Sequence, residues 1–227
     1  SECFRLWKAC DGQVGDDFHI NPEEIETKYY GILTKMFNVA RFASQFDAPA
    51  DLESSPNLNP VDKWILAEFE RTLRIIESAW SDIDIYTAAQ AIKGFGTGIF
   101  PSHWLEMSKS RLYDGDEAAI WTLHRVVRDL MSVFSPICPF FTHYLSTTLY
   151  TESSVDVTSF PRLPDSFSSE EFESMRLLTP SIIAFNSDVW KAKKSSGISL
   201  KSPIEGITIP DELQIIANTL ISMHNMV

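Results

Sequence analysis

The chain has 227 residues, with 19 basic and 31 acidic side chains and a formal net charge of −12. Apolar residues make up 44%, which suits one large domain, or one domain with a small appendage, and excludes disorder, collagen and coiled coil. The acidity excludes a generic nucleic-acid coat, which needs clustered Lys and Arg, but leaves room for a local basic strip.

Residues 2–10 read as a helix already in progress, with no charged n-region, apolar h-region or cleavage site before it. The chain ends at Met226-Val227, directly after an apolar stretch, and the two ends together predict a piece of a longer protein. Asn21-Pro22-Glu23-Glu24 is a helix start: an N-cap amide, Pro at the first position, then acids in the first turn. The helix is predicted to run to about Phe46, with Ile25, Tyr29, Ile32, Leu33, Met36, Ala40 and Ala43 as its core stripe. After a Pro- and Ser-containing loop over 47–58, Asn59-Pro60 starts a second helix. Its stripe is Val61, Ile65, Phe69, Leu73, Ile76 and Trp80.

A third helical segment begins near Asp84 and reaches Leu112, but Gly94, Gly96, Gly98 and Pro101 should break or kink it. Beyond Asp114-Gly115-Asp116, residues Ile120, Leu123, Val127, Leu130, Met131 and Phe134 share one face of a fourth helix. Ser135-Pro136 closes it, and Pro139-Phe140-Phe141 opens a fifth to about Tyr150. Residues 151–169 should be a surface connection. A helix from Glu170 is interrupted at Thr179-Pro180 and resumes to about Lys194. Ile198-Ser199-Leu200 and Ile207-Thr208-Ile209 alternate like short strands, and Asp211 should cap a last helix to about Met223. The predicted architecture is mainly α: a helical bundle over 1–165, then a C-terminal helix with a small α/β subdomain over 166–227.

Several chemistries have no support in the residues. Gly94-Phe95-Gly96-Thr97-Gly98 lacks the spacing and the preceding strand of a dinucleotide loop. His19, His103, His124, His143 and His224 never pair at i, i+4, and no Cys-x-x-Cys occurs, so no metal centre is expected. Cys3, Cys10 and Cys138 are an odd set that suits a reducing compartment, and the seven-residue spacing of the first two points to core packing. No nucleophile elbow or Cys/His pair is visible. No apolar run of roughly 18 residues occurs, so no membrane span is expected.

A recognition surface is the better prospect. At about 100° per residue, with Lys28 at zero, the core stripe of the 21–46 helix falls between roughly 40° and 140°. By the same count Lys35, Asn38 and Phe42 fall near about −20°, −80° and −40°. Lys28, Lys35, Asn38 and Phe42 thus form a strip facing away from the core. An aromatic ring among amines and an amide suits an unpaired base with phosphates alongside. The alternative is that Phe42 packs beneath a neighbouring loop; the residues leave both open. A second basic cluster, Lys191, Lys193 and Lys194 with Lys201, stands out against the acidic background. Its bland reading is a solvated helix end, where cations also favour the dipole.

The motifs also follow the order of a known family. Glu2-Cys3-Phe4-Arg5-Leu6-Trp7-Lys8-Ala9 with Gly15-Asp16-Asp17-Phe18, then Lys35-Met36-Phe37-Asn38-Val39-Ala40-Arg41-Phe42, then Asp62-Lys63-Trp64-Ile65-Leu66 come first. Trp104-Leu105-Glu106 with Lys109 and Arg111-Leu112-Tyr113, Pro136-Ile137-Cys138-Pro139-Phe140-Phe141-Thr142, and Lys194-Ser195-Ser196-Gly197-Ile198-Ser199-Leu200 with Pro203-Ile204 complete the set. The chain resembles the C-terminal anticodon-binding region of archaeal-type valyl-tRNA synthetases, class I enzymes, along nearly its whole length. The resemblance implies an anticodon-binding helical bundle, valine tRNA as partner, no DNA or membrane partner, a monomer and a cytoplasmic setting. It places Arg41 and Phe42 beside the anticodon and makes Trp104 a second stacking candidate.

The full-length parent would use ATP and Mg²⁺ to attach valine to its tRNA. Both catalytic signatures are missing here, so no activity is expected of this chain alone and no cofactor within it. Glu106-Met107-Ser108-Lys109-Ser110 is one letter from the Lys-Met-Ser-Lys-Ser phosphate loop of class I synthetases, but its helical flanks make it a coincidence. The chain departs from the family at Gly96, Thr97 and Gly98, where an aromatic pair and an acid are usual. The isoleucyl enzyme is the nearest alternative, and a helical protein–protein interaction module is the alternative of a different class.

Overall fold

The computed structural model describes residues 1–12, 15, 20–150 and 159–227. The Asp16-Asp17-Phe18 motif, His19 and positions 151–158 of the expected surface connection lie outside the described residues. Helix α1 is Glu2–Asp11, and α2 is a single turn, Pro22–Glu24, whose start is capped by Asn21 Oδ1 accepting from the Glu23 and Glu24 amides. A π turn, Ile25–Tyr29, continues directly into α3, Tyr30–Ala43. The predicted stripe is buried here apart from half-buried Ile32, and Val39 joins it.

Helix α4, Pro60–Ser81, is fixed at its start by a reciprocal cap. Asn59 Oδ1 accepts from the Val61 amide at 3.2 Å, and Asp62 Oδ2 accepts from the Asn59 amide at 3.3 Å. Asp62 is completely buried and does more than cap. Its carboxylate also accepts from Trp104 Nε1 at 3.1 Å and from both terminal nitrogens of Arg111 at 3.0 and 2.6 Å. Arg111 in turn donates to Asp116, which caps the helix that begins at Glu117 through the Ala119 amide. One ion-pair network centred on buried Asp62 therefore ties two helix starts together through Arg111. Burial pushes the Asp62 carboxyl upward while the Arg111 guanidinium opposes it.

Helix α5, Ile85–Gly94, does not break at its glycines. It widens into a ten-residue π segment, Phe95–Trp104, and narrows again into α6, Leu105–Tyr113. The wider turn accommodates Pro101, which has no N–H to donate. Gly96 sets the close approach: a Cβ there would lie 3.1 Å from Leu130 Cδ2 and 3.3 Å from Met36 Cε. Phe69, Phe95, Phe100 and Trp104 stack in sequence with centroids 4.8, 5.8 and 5.2 Å apart. The indole of Trp104 is the end of that ladder.

Helix α7, Glu117–Phe134, is the central element, packed against α3, α4, α5, α6 and α8, Pro139–Tyr150. It is sealed well beyond its apolar face. Arg125, 1% exposed, spends its donors on Asp129, Glu53 and the carbonyls of Leu52 and Arg162. His124 pairs with the Phe46 carbonyl and Tyr150.

Helices α9, Glu170–Arg176, and α10, Thr179–Ser195, lie against the bundle. Thr179 is shared between Trp64 Nε1 and Glu68. The predicted interruption falls at Leu177 and Leu178, and Pro180 stands in the first turn of α10, where its missing N–H costs nothing. The expected strands are a correction. Residues 198–200 and 207–209 form no strand, and among the described residues the region's pairing is one isolated parallel bridge, Ile204 to Met226. Neither stretch pairs with a partner strand among the described residues, so alternation had no ladder to join. Asp211 does not cap a helix by its side chain but opens a 3₁₀ segment, Asp211–Ile216, that leads into α11, Ala217–His224.

Candidate nucleic-acid interface

The face arithmetic places three of its four residues together. Lys35, Asn38 and Phe42 line one groove of about 390 Å³, whose opposite wall is Thr97, Pro101 and Ser102 from the π segment and Leu105, Glu106 and Lys109 from α6. Lys35 and Asn38 are exposed, and neither spends its polar groups on a described hydrogen bond or ion pair. Phe42 is half-buried. Arg41, next to it on α3, is also exposed without a described ion-pair partner. The wall opposite α3 is built by the π segment and the first turns of α6 that follow it. Lys109 Nζ pairs with Glu106 at 2.5 Å, so the α6 wall offers one carboxylate and one amine.

Lys28 does not join them. It donates to Asp11 Oδ2 at 3.1 Å and lies over the Tyr29 ring, facing α1. It is exposed, as the count has it, but it stands two turns before Lys35 and its ammonium is held toward α1 by Asp11.

Two other expected contacts are buried. Trp104 has no exposed surface, with its ring stacked on Phe100 and its N–H on Asp62, and cannot offer a face to a base. Lys193 is also fully buried. Its ammonium donates to the carbonyls of Leu200, Ser202 and His224 at 2.8, 2.7 and 2.7 Å, holding the 198–205 loop and the end of α11 against α10. The basic cluster therefore reduces at the surface to Lys194, Lys201 and Lys191, the last 3.5 Å from Asp188.

The histidines near this clamp are structural. Asn186 Nδ2 donates to His103 Nδ1 at 3.0 Å, and His224 Nε2 donates to Asn186 Oδ1 at 2.8 Å. Burial holds both imidazoles below their ordinary range, His224 at about 4 with the Lys193 charge as a second cause. Among the described residues no three His, Cys, Asp or Glu side chains come together as metal ligands would. The Glu106–Ser110 segment is helical, with Met107 and Ser108 sealed in the interior, so it offers no mobile loop to a nucleotide phosphate.

The sequence reading missed one aromatic as a surface feature. Tyr113, the last residue of α6, is 64% exposed, one helical turn beyond Lys109 on the same face. Its ring meets Phe42 edge-on at 6.1 Å and Phe46 at 5.7 Å. The available signal was the i, i+3, i+7 spacing of Glu106, Lys109 and Tyr113 on one helix.

Comparison with known proteins agrees with this geometry. The family described as the anticodon-binding domain of tRNA ligase matches residues 62–208. The chain is 30% identical over 236 residues to the valine–tRNA ligase of Aeropyrum pernix, covering 98% of this chain and 28% of that protein. It is 30% identical over 231 residues to that of Pyrobaculum aerophilum, again covering 98% and 28%, and 27% identical over 230 residues to that of Nanoarchaeum equitans, covering 100% and 28%. The chain therefore spans little more than a quarter of the length of these relatives. A family match over most of the chain, on a helical bundle with an open polar groove, shows that the chain belongs to the anticodon-binding domains of tRNA ligases.

Proposed function

We propose that this chain is the anticodon-reading part of a valine–tRNA ligase and that the groove between α3 and α6 receives the unpaired anticodon bases. The observation that carries this is the convergence of Lys35, Asn38 and half-buried Phe42 on one open groove, with the polar ends of the first two uncommitted. Flipped-out bases need a flat apolar partner, and such stacking is worth about 1–3 kcal/mol per base. Asn38 offers a donor and an acceptor to a base edge, and the Lys35 and Arg41 cations suit an edge or a phosphate. Lys191 and Lys194 add sequence-independent attraction for phosphate.

The valine specificity rests on the relatives, as do the ATP and Mg²⁺ chemistry, which belongs to the catalytic part of a full-length ligase. The present chain supplies recognition only, as a cytoplasmic monomer without activity of its own. Within it, residues 1–165 form the reading unit and 166–227 buttress it through the contacts of Thr179 with Trp64 and Glu68 and of Asn186 with His103.

The test is binding of wild type and Phe42→Ala to valine tRNA and to the same tRNA with a changed middle anticodon base. Wild type should discriminate between them and weaken with rising salt; Phe42→Ala should lose discrimination with little change in melting temperature. A large drop in melting temperature with discrimination intact would make Phe42 a core residue and refute the assignment. Valine-dependent pyrophosphate exchange by the purified chain would refute the recognition-only reading.

A further inference from the structure

The groove's charge is uneven, and its aromatic end lies past its amines. Lys35 and Lys109 line the groove with one carboxylate, Glu106, between them and a net positive charge, whereas Asp114 and Glu117, both exposed, follow Tyr113. Phosphate is favoured at the first end and disfavoured at the second. An exposed ring at the phosphate-poor end can still bind a neutral base, since stacking needs a π face and no charge. We propose that Tyr113, backed by Phe42 and Phe46, is a second base-stacking subsite of this interface, taking an unpaired nucleobase that follows the base in the groove.

The geometry favours Tyr113 over Phe42 as the outermost platform. Phe42 is half-buried and meets the Tyr113 ring at 88°, so it supports that ring from the side. Phe46 meets it at 57° from a second direction. One edge-on and one tilted contact restrain the ring before any ligand arrives, which lowers the ordering cost of binding. The ring remains 64% exposed, so a face is open. A buried tyrosine would need a partner for its hydroxyl, but this one projects into water and needs none. Phe46 is in turn anchored through its carbonyl, which pairs with His124 at 3.0 Å on the central helix.

This subsite rests on the groove being the anticodon interface, and the test separates the two. The probe is an anticodon-arm hairpin RNA carrying 2-aminopurine at each loop position in turn, titrated with wild type, Tyr113→Ala, Tyr113→Phe, Phe42→Ala and Lys35→Ala. One loop position should be quenched on binding by wild type and Tyr113→Phe but not by Tyr113→Ala, and Tyr113→Ala should bind about 5- to 150-fold more weakly. Weakening by Phe42→Ala and Lys35→Ala with Tyr113→Ala unchanged would overturn the subsite and leave the groove standing. No effect of any of the variants would overturn both. A melting temperature lowered substantially by Tyr113→Ala but not by Tyr113→Phe, with quenching retained, would make the ring a packing residue and overturn the subsite.

Discussion

Replacing Lys193 by Met should destabilise the C-terminal part without any effect that belongs to RNA. The ammonium makes three hydrogen bonds of 2.7 to 2.8 Å to carbonyls of Leu200, Ser202 and His224, from a side chain with no exposed surface. Met matches the stem but donates nothing, so three acceptors lose their partner at once. Hydrogen bonds to charged groups are each worth about 1.5–3 kcal/mol. Burying the ammonium has its own cost, which the substitution removes, so the net loss is about 3–5 kcal/mol, as when one member of a buried charged contact is deleted. At about 2–4 °C per kcal/mol for a chain of this size, the melting temperature should fall by roughly 6–20 °C. The assay is thermal unfolding of Lys193→Met beside Lys191→Ala and Lys194→Ala, the last two being surface changes expected within about 0.5 kcal/mol of wild type. RNA affinity measured well below each midpoint should fall in the two surface variants and hold in Lys193→Met. An unchanged midpoint for Lys193→Met would show that water satisfies these carbonyls and that the amine is no clamp.

Asp62→Ala should cost about 3–5 kcal/mol, because it leaves Trp104 Nε1 and Arg111 Nη1 without an acceptor and removes the Arg111 counter-charge from the interior; a urea midpoint equal to wild type would refute the network. Stability should also fall as pH drops from about 6.5 toward 4. His103, His124 and His224 have folded-state values below their unfolded ones, chiefly through desolvation, with His224 at about 4. The unfolded chain therefore binds more protons across that window, so stability rises with pH within it and levels off above the unfolded value. His224 alone accounts for about 3 kcal/mol at the limit. Denaturant midpoints flat from pH 7 to 4 would contradict this.

How far the sequence reached differs from element to element. The stripes of α3 and α4 were readable because burial on one face imposes a 3.6-residue period, and the Asn21 and Asn59 caps because an orphaned helix amide needs a side-chain acceptor. The groove residues Lys35, Asn38 and Phe42 were readable for the same reason, since an exposed strip is the complement of a buried one. Lys28 is exposed as the strip predicts, but Asp11, on another helix, turns it away from the groove, and the helix's own period does not show that. Glycines and a proline signalled a disturbance near Phe95, but only packing against Leu130 and Met36 decided that it would be a widened helix and not a break. Trp104 and Lys193 show the other limit. Residue type gives a side chain's capacity, to stack or to carry charge, while the long-range neighbours decide whether solvent ever reaches it. Asp62 stands 42 positions from Trp104, and the His224 carbonyl 31 from Lys193. Contacts across such separations are fixed by the topology of the bundle, and no local pattern in the chain encodes them.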